Sequence, residues 1–320
     1  VPWFFGKSDE EKQREADQKR ALEAENARKQ ASLAALEAGG IPYEAERRLK
    51  DVRLQEGSFF TSDLSVNEFL LARETRLRPL AQVTGSSVYH VGWRFLDWYT
   101  PTGELSVVSE AINQARTRAL NRLAQEASLV GAHVVAGVRA TMQRYEWSNG
   151  LIEFNFVGTA MRFEELAPPK RAALTNLSGQ DIWKLYEAGY WPVGVVAGSS
   201  VYHVRPSWNQ QIGSSWMSWA NQELTDFTAG LYAARHLATR HLHEGGARLG
   251  AWGVVGMTIE QEEEEIEVSG GNDQERTDMI FTFHSIGTAI VERTDGVMPA
   301  VRLAVDLRQE SNARRRAAIR

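Results

Sequence analysis

The sequence predicts an α+β protein made of two tandem β-α-β-β units behind an N-terminal helical arm. Three observations predict it. The string Gly85-Ser86-Ser87-Val88-Tyr89-His90-Val91 recurs as Gly198-Ser199-Ser200-Val201-Tyr202-His203-Val204, at an offset of 113. A helical face follows each string with the same spacing of 4, 3, 4 and 4 residues: Val108, Ile112, Ala115, Ala119 and Leu123, then Phe227, Leu231, Ala234, Ala238 and Leu242. A Gly-Thr-Ala block closes each copy, at Gly158-Thr159-Ala160 and Gly287-Thr288-Ala289. The repeats occupy about 61–164 and 174–292. The chain divides into an arm (1–56), a first unit (57–165), a second unit (166–293) and a C-terminal strand with a basic tail (294–320).

The arm opens on Trp3, Phe4 and Phe5, three consecutive aromatics ahead of a polar stretch. They are costly to expose, so they read either as a docking segment or as a segment tucked against its own chain. The docking target is a protein partner, a neighbouring subunit or a membrane surface. The segment is too short for a signal-peptide core and lacks a basic leader. Ser8 to Ala38 then reads as one helix, with Ser8-x-x-Glu11 as a capping box and Gly39-Gly40 and Pro42 as the stop. Glu10–Arg14, Glu15–Lys19 and Glu25–Lys29 are i,i+4 pairs worth about 0.2–0.5 kcal/mol each. A short helix over 43–54 adds Glu44–Arg48 and Glu46–Lys50. Ala24, Ala27, Ala31, Ala34 and Ala38 form a heptad seam, but alanine buries little area, so the arm reads as solvated.

Each unit opens with a short helix capped by Ser65 or Ser178. Pro79 or Pro192 starts a strand that leads into Gly-Ser-Ser, read as a turn, after which the strand resumes. A Trp-rich loop carrying Trp93 and Trp98, or Trp208, Trp216 and Trp219, precedes the long helix. Gly131 or Gly250 ends that helix. The next strand is His133–Met142 or Trp252–Ile259, and the last is Ile152–Phe163 or Met279–Glu292. The strands flanking the helix can run parallel, with the helix as crossover. One helix covers one face of such a sheet, and strands apolar on both sides favour association. Glu260, Glu262 to Glu265 and Glu267 read as a solvated hairpin tip. After residue 293, Pro299 to Leu307 alternates like a strand, and Asp306-Leu307 echoes Asp63-Leu64 and Asn176-Leu177. The tail therefore reads as the first strand of an unfinished third copy that completes a neighbour.

Composition narrows the function. Hydrophobic residues make up 43% of 320 positions, enough for real cores, and the net charge of −5 invites no nucleic acid. With no cysteine, disulfides, iron–sulfur clusters and thiolate zinc sites are excluded, and a cytoplasmic location is expected. No apolar run approaches a membrane span.

Several short blocks carry a resemblance. They are Gly85 to Val91, Ala115-Arg116 with Ala119-Leu120, Val130 to Val138, and Gly158-Thr159-Ala160. Their counterparts are Gly198 to Val204, Ala234-Arg235, Leu249 to Gly256, and Gly287-Thr288-Ala289. In order, and twice, they resemble the YbjQ-like family, the heavy-metal-binding domain family. The resemblance implies a dodecin-like β-α-β-β unit that assembles with itself as a five-fold or pseudo-ten-fold ring.

Chemistry is sparse. His90 and His203 occupy equivalent positions and are the metal-ligand candidates, since imidazole and carboxylate suit divalent zinc, copper or nickel. The bland reading is a hydrogen-bonded histidine without metal, so no cofactor is expected. Gly85, Ser86, Ser87 and Tyr89, with Gly198, Ser199, Ser200 and Tyr202, are ligand or interface candidates, because a Gly-Ser-Ser turn can converge N–H groups on an anion. No nucleophile elbow, zincin motif or cysteine nucleophile is present, so no enzyme is expected. The expected function is a ring-forming homo-oligomeric scaffold. The alternative is a metal- or small-ligand-binding module at the repeated strings.

Overall fold

The computed structural model describes residues 9–54, 60–74, 77–91, 96–144, 150–163, 167, 169–207, 223–270 and 275–293. Their helices are α1 (Asp9–Glu37), α2 (Tyr43–Leu54), α3 (Val66–Glu74), α4 (Ser106–Leu129), α5 (Gly179–Glu187) and α6 (Thr225–Arg248). Their strands are β1 (Leu77–His90), β2 (Gly103–Glu104), β3 (Val134–Arg144), β4 (Leu151–Phe163), β5 (Ala173–Leu174), β6 (Tyr190–Val204), β7 (Gly253–Ser269) and β8 (Glu275–Glu292). They form a mixed α+β fold with two four-stranded sheets, ordered β1-β4-β3-β5 and β2-β6-β8-β7.

Local signals act as their chemistry dictates. Ser65 and Glu68 close a reciprocal capping box on α3, with Glu68 N–H donating to Ser65 Oγ and Ser65 N–H donating to Glu68 Oε2. Ser178 Oγ accepts from Asp181 N–H at the start of α5. The face Val108, Ile112, Ala115, Ala119 and Leu123 of α4 is buried, and Ala234, Ala238 and Leu242 of α6 are buried too.

The layers run first sheet, α4, second sheet, α6. Alternation along β6 sets this order. Val201 packs in the core that holds the inner face of α4 together with Ile280 of β8. Val204 and Tyr202 pack on the other side, against Ala234 and Ala238 of α6. A second core lies under the outer face of the first sheet, where Leu77, Val134, Met161 and Phe163 meet Ile182 of α5.

Several sequence expectations change here. Gly-Ser-Ser is no turn: both copies lie inside the continuous strands β1 and β6. Their glycines serve close approach instead. A Cβ at Gly85 would overlap Ala119 O and lie 2.5 Å from Leu123 N, while at Gly198 it would overlap Ala238 O and lie 2.7 Å from Leu242 N. The strands flanking α4 do run in the same direction, but they are not neighbours, because β4 inserts between β1 and β3 and pairs antiparallel with each. The glutamate run is no hairpin tip either. It lies within β7, an edge strand whose Gly256 to Glu265 are exposed, so the carboxylates stay solvated on both faces. The alanine seam of α1 faces solvent, in line with the solvated reading of the arm, while Ser32, Ala35 and Leu36 are half-buried. Arg122 fixes that orientation by donating to Gly40 O and Leu36 O. Glu25–Lys29 and Glu46–Lys50 pair as expected, whereas Lys19 meets Glu23, Glu44 meets Arg47, and Arg48 reaches Glu126. Trp3, Phe4, Phe5, Trp93, Trp208, Trp216, Trp219 and the tail beyond 293 lie outside the described residues.

Because backbone meets backbone at both glycines, Gly85→Ala and Gly198→Ala should each lower stability by about 1–3 kcal/mol through overpacking. Urea unfolding would check this, and unchanged midpoints would refute the close helix–strand approach.

Candidate functional site

The most organised polar region is a buried seam where α4 meets the edge of β6. That edge has backbone groups to satisfy, and β2 reaches only Tyr202 and His203. Below it the helix substitutes for a strand. Asn113 Nδ2 donates to Ser199 O at 2.9 Å, and Ser199 N–H donates to Asn113 Oδ1 at 3.0 Å. Val201 N–H donates to Ser109 Oγ, and Leu105 N–H donates to Val201 O. Arg116 donates to Ala197 O at 2.9 Å and to Ser199 Oγ at 2.5 Å. Ser199 Oγ also meets His284 Nδ1 at 2.7 Å. Burial holds the Arg116 guanidinium pKa down at about 10.

One turn further along, the same helix binds the other sheet. Arg122 donates to Ser86 O, and Glu126 Oε2 accepts from Thr84 N–H at 2.9 Å, so α4 also shields the edge of β1. Glu126 is buried, and desolvation raises its carboxyl pKa above the ordinary range, opposed by the Thr84 N–H and by Arg48.

A charged cluster lies at the β2 end of the seam. Asp278 and His203 are fully buried and 2.8 Å apart. Arg276 grips the same carboxylate through Nε and Nη2, at 2.5 and 2.8 Å. Its guanidinium stacks over Trp98 at 4.5 Å and donates to Trp98 O. His203 Nδ1 lies 3.0 Å from Pro101 O. Both ring nitrogens of His203 are thus engaged, one by a carbonyl and one by the carboxylate that Arg276 holds. The cluster ties the 96–104 loop to the second sheet.

The repeated string therefore has two unlike settings. In β6, Ser199 and Ser200 are fully buried, Ser200 Oγ donates to Ala234 O, and Tyr202 packs against α6. In β1, Ser87 is buried, but Ser86 is exposed with its hydroxyl on Asn155, and Tyr89 donates to Gln114. Val88 is 59% exposed, and His90 is exposed. His90 and His203 thus stand in different sheets, one open and one enclosed. Among the described residues no group of three or more His, Asp or Glu is placed to hold a metal ion.

The threonine of each Gly-Thr-Ala block accepts a backbone N–H from the start of a copy. Asp63 N–H donates to Thr159 Oγ1 at 2.9 Å, and Asn176 N–H donates to Thr288 Oγ1 at 3.1 Å. Sequence reasoning missed Asn113, Arg116, Arg276 and Asp278. Two signals pointed to them: polar residues beside the apolar stripe of α4, and Arg276-x-Asp278 on one face of a strand.

Comparison with known proteins adds the family context. The YbjQ_1 family model, described as "Putative heavy-metal-binding", matches residues 99–164. The chain is similar to the encapsulin nanocompartment protein Rv1762c of Mycobacterium tuberculosis (strain ATCC 25618 / H37Rv). Identity is 37% over 207 residues, covering 62% of this chain and 76% of that protein. No solved structure matches significantly.

Two outcomes follow from the electrostatics. Asp278→Asn leaves the buried Arg276 without its counter-charge and should cost about 3–5 kcal/mol in urea unfolding; a neutral effect would refute the buried network. The Glu126 carboxyl, raised on folding, contributes stability that is full below its ordinary value of 4.5 and lost as pH rises through the folded value. Glu126→Gln should flatten that loss in unfolding measured from acid to neutral pH, and an unchanged slope would refute it.

Proposed function

This chain belongs to the YbjQ-like family together with the mycobacterial encapsulin nanocompartment protein, and on that premise we propose that it is a non-enzymatic scaffold that assembles with itself. Its two tandem dodecin-like units are the building blocks, and copies join into a ring of five-fold or pseudo-ten-fold symmetry. The name of the relative supports self-assembly. Among the described residues, no helix is long and apolar enough to cross a membrane.

One observation carries the ring. Within the chain, the α4 face bearing Asn113 and Arg116 closes on the β6 face bearing Ser199, Val201 and His203. The counterparts of both surfaces are open. On α6, Tyr232 and Arg235 stand where α4 has Asn113 and Arg116, at an offset of 119, and both are exposed, Tyr232 at 65%. On β1, Ser86, Val88 and His90 are exposed. Repeating the internal contact between chains, with α6 of one copy on β1 of the next, is a heterologous interface that closes if the rotation allows. The metal- or ligand-binding reading is weaker, because both ring nitrogens of His203 are already engaged. Docking through Trp3, Phe4 and Phe5 stays compatible with the ring, whose copies would present that segment together.

Native mass spectrometry of the full chain should give a closed multiple of 35.8 kDa. Val88→Glu and Tyr232→Asp should each shift that mass to smaller species without changing the far-ultraviolet circular dichroism. A monomer at micromolar concentration would overturn the ring.

A further inference from the structure

The two sheets end differently on the β3 and β7 side. In the first sheet, the edge of β3 is covered by β5 and the residues after it. Ala173 and Thr175 donate to His133 O and Val135 O, while Gly137 N–H and Val138 N–H donate to Leu177 O and Thr175 O. Gly137, at φ 63°, supplies the bulge that turns both N–H groups outward. In the second sheet, β7 is the edge, and no strand lies beyond it among the described residues. Yet it is built to receive one. Gly256, at φ 61°, makes the same bulge at the same place. Apolar side chains there are left in water, with Trp252 at 66% and Met257 at 40% exposure.

The chain carries a matching segment. Pro169 to Leu177 reads Pro-Lys-Arg-Ala-Ala-Leu-Thr-Asn-Leu, and Pro299 to Leu307 reads Pro-Ala-Val-Arg-Leu-Ala-Val-Asp-Leu. Proline, the Asn or Asp, and the last leucine coincide at an offset of 130. The reach also agrees: nine residues separate Phe163 from Ala173, and ten separate Glu292 from Leu303. Beyond Leu307 the tail brings Arg308 and Arg314 to Arg316, in the direction in which β7 continues into Glu260 to Glu267. Opposite charges thus favour the same parallel direction.

We propose that Leu303–Leu307 pairs in parallel with the β7 edge of its own chain, as Ala173–Leu177 pairs with β3. Leu303 and Val305 donate to Trp252 O and Val254 O, and Gly256 and Met257 donate back to Leu307 O and Val305 O. The edge is closed by the tail, and Trp252 is covered. Linkers of nine and ten residues give the tail the same reach as Ala173–Leu177 and so place it on its own chain, in contrast to the sequence-based expectation that the tail completes a neighbouring copy. The inference rests on the tandem-unit reading but not on the ring.

The chain has no cysteine, so one engineered pair supplies all the thiols. By the observed register of Val135 with Leu174, Val254→Cys and Ala304→Cys face each other. Mild oxidation should give a rapid intrachain disulfide, seen by peptide mapping. Cross-linking only between chains would overturn the same-chain pairing. Equal rates for Val254→Cys with Ala317→Cys would overturn the register. Hydrogen exchange gives an independent readout: the Gly256 and Met257 amides should be protected in the full chain. Val305→Pro, which removes the N–H aimed at Val254 O, should speed their exchange about tenfold or more. Fast exchange in the unaltered chain would overturn the proposal. A monomeric protein that still forms the disulfide overturns the ring and leaves this pairing standing.

Discussion

Backbone polar groups at a sheet edge must find partners, and α4 meets that demand for two sheets at once. Asn113, Ser109 and Arg116 give β6 the bonds a neighbouring strand would supply. Arg122 and Glu126 do the same for β1. The rest of the layering depends on this. A helix that serves two edges must be buried on two sides, so its polar residues are enclosed with its apolar ones. That enclosure is why Arg116 holds its proton less tightly than a solvated arginine and why Glu126 holds its proton more tightly than a solvated carboxyl.

Close approach is the second constraint. Each long helix lies close on a strand, α4 on β1 at Gly85 and α6 on β6 at Gly198. Gly85 and Gly198 remove the Cβ that would otherwise strike the helix backbone. The two glycines in the repeated string thus work through packing, and the serines beside them take up hydrogen bonds on whichever side the strand presents. The identical string then ends in opposite fates, buried in β6 and open in β1, because one copy has a helix stacked on its far face and the other has none.

Legibility from sequence followed the range of the forces involved. The capping box at Ser65, the N-cap at Ser178, the glycines that end α4 and α6, and the buried stripe of α4 were readable, since each is set by residues within one or two turns. The misreadings were long-range. Gly85 looked like a turn residue because glycine satisfies either a turn or a close contact, and only the opposing helix chooses between them. The glutamates of β7 looked like a tip because charge repulsion disfavours a paired strand, yet from Gly256 to Glu265 both faces of β7 are exposed, so its carboxylates stay in water while its backbone pairs with β8.

By itself the sequence determined the main element types, their order, the recurrence of the Gly-Ser-Ser-Val-Tyr-His-Val string and the absence of cysteine chemistry, because propensity, capping and periodicity act locally. Only the tertiary structure decided which histidine is enclosed, which sheet edge is shielded by a helix and which stands open. Those outcomes depend on groups 75 to 178 residues apart in the chain, such as His203 with Asp278 or Arg276 with Trp98, being brought together by the tertiary fold. No local pattern encodes such a meeting, since the pairing of β6 with β8 and the packing of the 96–104 loop on that sheet bring the partners within hydrogen-bond reach.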